Sequence, residues 1–164
     1  MRKVVTGVFK TASSCGYYKE INKCQWTLVM NKYRSKYEAN IAKDLTDRNI
    51  KFDYETIKLP YFISKKGKCS LCASGIVFVS KTYIPDFIIG SLIIEAKGRF
   101  VSSDRTKMLA VKEANPKQDI RMLFMRDQWC TKKKRKKYSD WCNDHNIKFA
   151  FGTSVPLSWI KGRK

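Results

Sequence analysis

The sequence predicts an α/β chain of the α+β kind, a mixed sheet with helices packed against it. Three observations carry this. Tyr37, Ile41 and Leu45 recur at helical spacing, and Gly90-Ser91 is a tight-turn signal between the apolar runs Tyr83 to Ile89 and Leu92 to Lys97. After that hairpin, strand-like and helical stretches alternate to the C-terminus. The length of 164 residues fits one domain, and 43% hydrophobic residues suffice for a core.

Residues 1–32 show no clear period and read as an N-terminal arm containing Cys15 and Cys24; residues 33–164 read as the folded domain, with an inserted loop at 64–75. Ser35 opens a helix whose inner face is Tyr37, Ile41, Ala42 and Leu45, with Lys36, Asn40, Lys43, Asp44 and Asp47 outside. Ser35-Lys36-Tyr37-Glu38 fits a capping box in which Ser35 caps the helix and Glu38 reaches back to the Ser35 amide. That helix is expected to end near Asn49, and Ile50 to Leu59 alternates toward a strand that Pro60 limits. Ser64 to Gly75 is a loop by composition and carries the pair Cys69 and Cys72 in a CxxC. Ile76 to Ser80, Tyr83 to Ile89 and Leu92 to Lys97 read as strands. Ser103 and Asp104 offer an N-cap for a helix through Met108, Leu109 and Lys112, which must stop before Pro116. Ile120 to Met125 is an apolar strand. A basic run follows, then a short helix around Trp141 and Cys142, a strand at Ile147 to Phe151 and a helical turn at Pro156 to Ile160.

Charge sets the choice of partner. The 34 Lys+Arg against 14 Asp+Glu leave a formal charge of +20, and self-repulsion on that scale is ordinarily offset by a polyanion whose counterions are released on binding. Nucleic acid is the first expectation; an anionic membrane surface is the second, without a basic amphipathic helix to support it. The longest nearly apolar stretch, Phe87 to Ile94, is far shorter than the roughly 18 residues of a membrane span. No apolar run follows the basic start, so a cytoplasmic location is expected. The single histidine, His145, excludes chemistries that need two, such as HNH nucleases and HExxH zinc hydrolases. Hydrolysis on this chain would run on carboxylates, lysine and metal.

The stretch Ile84 to Gly98 holds the candidate chemistry. Strand period puts Glu95 and Lys97 on one face, and the Gly90-Ser91 turn folds Asp86 beside them. Two carboxylates and a lysine in an apolar hairpin are costly without a purpose. A hard cation such as Mg2+, or Mn2+, would offset that cost by taking oxygen ligands from Asp86 and Glu95, with the Ala96 carbonyl as a third. Lys97 would position or help deprotonate a water, or stabilise charge on a phosphate. The plainer reading is an Asp in a turn and a surface Glu/Lys pair on an edge strand.

With Pro85-Asp86 ahead of Glu95-Ala96-Lys97, this is the PD-(D/E)xK pattern. Further stretches in the same order are Tyr33 to Glu38, Ile50 to Glu55 with Leu59-Pro60-Tyr61, Tyr83 to Phe87, Glu95 to Gly98, Asp104 to Lys107, and His145 to Ala150 with Pro156 and Trp159-Ile160. Together they resemble the phage endonuclease I family of Holliday-junction resolvases. The resemblance implies a restriction-endonuclease-like core, a metal-dependent endodeoxyribonuclease acting on four-way and other branched DNA, and action in a host cytoplasm. It matches Glu38 to the family's helix glutamate at the metal site, and Asp86, Glu95 and Lys97 to its remaining catalytic residues. Capping alone would also account for Glu38. The resemblance further implies an intertwined homodimer, in which the helix glutamate of one subunit joins the Asp/Glu/Lys set of the other and the strand around Leu59-Pro60-Tyr61 bridges the halves.

The chain departs from the family pattern in the arm and in the Gly67 to Gly75 loop. Cys15, Cys24, Cys69 and Cys72 would make a four-cysteine structural Zn2+ site joining the two, or remain reduced thiols. Cys130 and Cys142 lack ligand-like spacing, and Cys142 is expected in the core. Lys132, Lys133, Lys134, Arg135, Lys136 and Lys137 read as a phosphate-contacting loop, although such runs are commonly just solvated. Trp26, Trp129, Trp141 and Trp159 are expected in the core or an interface rather than as base-stacking platforms. Two other functions fit less of the sequence: a catalytically inactive basic DNA-binding module with structural zinc, and a sequence-specific restriction-type nuclease, for whose base reading the chain leaves little room.

Overall fold

The computed structural model describes residues 32–67 and 75–161. Its first long element, α1 (Lys36–Asp47), begins where expected: Ser35 is the extended N-cap, and its hydroxyl accepts the Glu38 N–H at 3.2 Å. Tyr37, Ile41, Ala42 and Leu45 are buried along one face, as their spacing requires. The helix stops at Arg48, and Asn49 turns the chain out with φ 53.

The predicted strand over Ile50 to Leu59 is only two residues long, β1 (Asp53–Tyr54), because Glu55 takes a left-handed φ of 53 that ends the pleat. The chain then enters β2 (Leu59–Lys66), which pairs antiparallel with β3 (Ile76–Tyr83) in a separate two-stranded ribbon. Pro60 lies inside β2, opposite Thr82; a strand paired on one side tolerates it. Ser64 to Lys66 are therefore strand rather than loop, and Gly67 N–H closes the ribbon on the Gly75 carbonyl at 3.0 Å. Residues 1–31 and 68–74 lie outside the described residues, and with them the proposed zinc ligands Cys15, Cys24, Cys69 and Cys72, as well as Trp26.

The single strand expected from Tyr83 to Ile89 is split. β3 runs on to Tyr83, and β4 (Phe87–Ile89) begins after Pro85, whose ring removes an N–H and restricts Ile84. Gly90, at φ 58, makes the tight turn into β5 (Leu92–Lys97), with Phe87 opposite Ile94 and Ile89 opposite Leu92. The helix α2 (Ser102–Ala114) then crosses to β6 (Asp119–Phe124), parallel to β5. Its N-cap is Val101, two positions before Ser103, and Asp104 serves from N3, accepting the Val101 N–H at 3.3 Å. The helix α3 (Tyr138–Asp144) leads to β7 (Phe149–Phe151), parallel to β6, and α4 (Leu157–Ile160) follows Pro156. The strand bounds at both β6 and β7 fall slightly inside or beside those expected. The main sheet has order β1-β4-β5-β6-β7, so β5 is central and the sheet is mixed, as predicted.

Side-chain alternation gives the sheet two apolar faces. Tyr37, Ile41 and Leu45 of α1 pack with Phe87, Ile89, Leu92, Ile94, Ala96, Leu123 and Trp159 on one. Phe100, Met108 and Val111 pack with Tyr61, Tyr83, Met122, Phe124, Tyr138, Trp141 and Cys142 on the other. Each buried Leu, Ile, Val, Met or Phe among them contributes about 1.5–3 kcal/mol by leaving water. Cys142, Trp141 and Trp159 are thus core, whereas Trp129, expected in the core or an interface, lies outside the core with its indole exposed. No helix among the described residues is long and apolar enough to cross a membrane.

Candidate active site

Alternation also places the charged residues. Leu92, Ile94 and Ala96 face α1, so Glu95 and Lys97 point to the opposite face of β5. Continuing the Phe87–Ile94 register by one step sets Asp86 across from Glu95. The bend at Pro85-Asp86 lets the Asp86 carboxylate turn back over the hairpin, where Oδ2 accepts the Ala96 N–H at 2.8 Å.

Glu95 is only 2% exposed, yet both its oxygens are partnered. Oε2 accepts the Tyr83 hydroxyl at 2.5 Å, and Oε1 takes the Lys97 ammonium at 2.8 Å, with Lys107 of α2 at 3.8 Å. Burial pushes the Tyr83 phenol well above its ordinary range, and the Glu95 charge adds to it, so the hydroxyl remains a donor. Burial also works against the charge on Lys97, but Glu95 outweighs it and the ammonium is held above its usual range. Asp86 is pushed up to about 7, first by burial and then by the charge of Glu95; the Ala96 amide and Lys97 pull the other way, and Glu38 adds to the rise.

Glu38 reaches the same hairpin within one chain through Tyr54, whose hydroxyl it accepts and which lies opposite Phe87, the residue after Asp86. Its carboxylate does not make the expected capping bond to the Ser35 amide. Oε1 accepts the Ser35 hydroxyl at 2.6 Å, and Oε2 accepts the Tyr54 hydroxyl at 2.6 Å and the Arg34 N–H at 3.2 Å. Tyr54, on β1 beside β4, draws the carboxylate away from a simple cap. Ser35 still caps α1, so Glu38 is freed from that duty.

The structure therefore brings Asp86, Glu95 and Lys97 together, with Ala96 between them giving its amide to Asp86 and Glu38 nearby. Among the described residues, no three His, Cys, Asp or Glu side chains form a ready ligand cluster. The donors nonetheless suit a hard cation: Asp86 and Glu95 are buried side by side, and a divalent ion offsets both the burial of their charges and their mutual repulsion. Tyr83, Tyr54 and Lys107 also belong to the site and escaped sequence reasoning. Lys107 sits one helical turn after Asp104 within a stretch that matched the family order, a signal that spacing alone did not convert into a role.

The basic run lies between β6 and α3. Lys132, Lys133, Lys134 and Arg135 are exposed; Lys136 pairs with Asp144, and Lys137 is half-buried against Trp129. His145 packs on Trp141, with ring centroids 4.6 Å apart.

A family model described as phage endonuclease I matches residues 21–164. Endonuclease I of Escherichia phage T7 is 34% identical over 134 residues, 80% of this chain and 80% of its own. Endodeoxyribonuclease 1 of Enterobacteria phage T3 is 33% identical over 134 residues, 80% of this chain and 79% of its own.

Proposed function

The chain belongs to the phage endonuclease I family, and on that premise we propose that it is a metal-dependent endodeoxyribonuclease of the PD-(D/E)xK type that cuts Holliday junctions and other branched DNA. The observation that carries this is the convergence of Asp86, Glu95 and Lys97 on one buried face of the β4–β5 hairpin, within a chain of charge +20. An acidic site inside a basic protein is suited to a metal bridging carboxylates and phosphate.

Asp86, Glu95 and the Ala96 carbonyl would hold Mg2+ or Mn2+, with Glu38 completing the set. When bound, the ion would polarise the scissile phosphate and lower the pKa of an attacking water. Lys97, kept protonated by Glu95, serves as a fixed positive charge beside the phosphate rather than as the base. Tyr83 and Lys107 hold Glu95 in place, so that its oxygens keep one orientation. The Lys132–Lys137 segment would follow the DNA backbone, reading shape and phosphate position rather than bases.

The active unit would be a homodimer working in a host cytoplasm, two sites at fixed spacing serving two strands of a junction. An apolar surface supports this. Phe62, Ile76 and Phe78 are 54%, 55% and 73% exposed, and their register puts them on one side of the ribbon, where a second copy would cover them. The four cysteines beyond the described residues would add a structural zinc.

The test is cleavage of a labelled four-way junction and of linear duplex of the same sequence, with Mg2+ or EDTA, by the wild type and Glu95→Gln. Metal-dependent cutting of the junction alone, lost in the variant, is expected. Tight junction binding without cutting would make the protein a DNA-binding module, and equal cutting of duplex would refute junction selectivity.

A further inference from the structure

A cleft of about 610 Å3 lies between the start of α2 and the segment joining β6 to α3. Arg99, Arg105, Lys132 and Lys134 line it, together with Gln128 and Trp129. Trp129 is 44% exposed, unlike Trp141 and Trp159.

The indole is exposed but its backbone is fixed. Trp129 bridges to Lys137, Cys130 N–H donates to the Lys136 carbonyl at 2.8 Å, and Tyr138 N–H donates to that of Gln128 at 3.0 Å. The Lys137 ammonium lies 5.3 Å from the indole centroid. Gln128 Nε2 donates to the Gly98 carbonyl at 3.4 Å, which ties this segment to the residue after Lys97. Arg105 is anchored through the Phe100 carbonyl at 2.7 Å. The cleft thus begins where the strand bearing Glu95 and Lys97 ends.

Cations around a held, exposed aromatic ring match the chemistry of one nucleotide. Guanidinium and ammonium groups take the phosphate, and an indole takes the face of a base. We propose that this cleft is a nucleotide subsite that receives an unpaired nucleotide of the DNA substrate, with its base on Trp129 and its phosphates on Arg99, Lys132 and Lys134. A continuous duplex keeps its bases stacked inside and cannot fill the indole position; a strand splayed at a branch can. The subsite gives the enzyme a way to distinguish branched from linear DNA, and in that respect it rests on the DNA-nuclease reading.

Tryptophan fluorescence titrated with short oligothymidylate in EDTA tests it, using the full chain as wild type, Trp129→Ala and Trp129→Phe. Junction cleavage in Mg2+ is measured separately. The wild type should be quenched. Trp129→Ala should lose that quench and bind oligothymidylate roughly tenfold more weakly, with a smaller loss on linear duplex. Trp129→Phe should lose the quench but recover most of the affinity, because a flat ring remains. Unchanged oligothymidylate affinity in Trp129→Ala would overturn the proposal, as would a Trp129 emission that follows protein concentration instead of DNA, which would mark a contact between copies. A wild type that is quenched but never cuts junctions would sink the nuclease reading and leave the subsite standing; cutting without any Trp129-dependent quench would do the reverse.

Discussion

The β4–β5 hairpin and the segment between β6 and α3 are opposites in charge and burial. In the hairpin, Asp86 and Glu95 are buried among isoleucines, and each has a defined partner in the Ala96 amide, Tyr83, Lys97 or Lys107. In the segment, Lys132 to Arg135 stand in solvent. Buried charge demands fixed geometry because an unpaired ion there is expensive, whereas exposed charge is screened and acts mainly by number. The hairpin is thereby suited to chemistry on one phosphate, and the segment to long-range attraction of many.

This contrast makes its strongest prediction at Glu95. Glu95→Gln keeps the shape and the Tyr83 contact but removes the charge that holds Lys97, so junction cleavage should fall at least about a thousandfold. Junction affinity measured in EDTA should change little. A parallel loss of affinity would mean that Glu95 supports the fold and not only the reaction.

Neutralising Lys132, Lys133, Lys134 and Arg135 to glutamine should show the opposite pattern. The slope of log affinity against log salt should flatten by up to about 0.9 for each phosphate that the protein no longer neutralises, which for four phosphates near physiological salt amounts to at most about a thousandfold. The rate of cutting at saturation should hold. An unchanged slope would remove this segment from the DNA path.

The two regions also differed in how far the sequence revealed them. Period-2 alternation placed Glu95 and Lys97 on one face, and Gly90-Ser91 brought Asp86 alongside; both are local rules, and the structure follows them. The helix face of Tyr37, Ile41 and Leu45 was legible for the same reason. What failed depends on non-local partners. The capping bond of Glu38 gave way to Tyr54, which arrives from another strand. Tyr83 and Lys107 reach Glu95 only after the ribbon and α2 dock on the sheet. For Trp129 the sequence left core and interface open, and only the folded chain shows it outside the core with its backbone held by the bridge to Lys137. The strand expected at Ile50 to Leu59 was cut to Asp53–Tyr54 by the positive φ at Glu55, which no composition rule signals.

Asp86 yields a pH-dependent prediction. Its value in the folded chain, about 7, exceeds the ordinary carboxylate value near 3.9. The fold therefore favours the protonated acid. That stabilisation is complete at pH values below the ordinary one and is lost as pH rises through 7, at about 1.4 kcal/mol per pH unit across the window. Asp86→Asn, which mimics the protonated form, should melt higher than wild type at pH 8, and the gain should shrink below pH 7 and vanish near pH 4. Protons should also compete with divalent ions, so Mg2+ affinity of the wild type should drop about tenfold per pH unit below 7. Calorimetric titration and thermal melts across pH 4 to 8 measure both; a pH-independent difference between Asp86→Asn and wild type would show that Asp86 titrates normally.

The smallest effect expected is at Tyr83. Its ring packs in the core beneath α2, and its hydroxyl gives Glu95 Oε2 a buried partner. Tyr83→Phe keeps the ring and deletes the bond, so it isolates one hydrogen bond from the packing around it. Loss of a partner by a buried carboxylate oxygen costs about 1–3 kcal/mol, and denaturant melts at pH 7 should show a decrease in that range. Lys97 still holds the other oxygen at 2.8 Å, so cleavage should slow by about tenfold or less, far short of the loss in Glu95→Gln. If stability is unchanged while the rate falls, Tyr83 acts on the aim of Glu95 alone. If both are unchanged, Lys97 and Lys107 are sufficient to fix the carboxylate, and the rigidity ascribed to the hairpin rests on ion pairing.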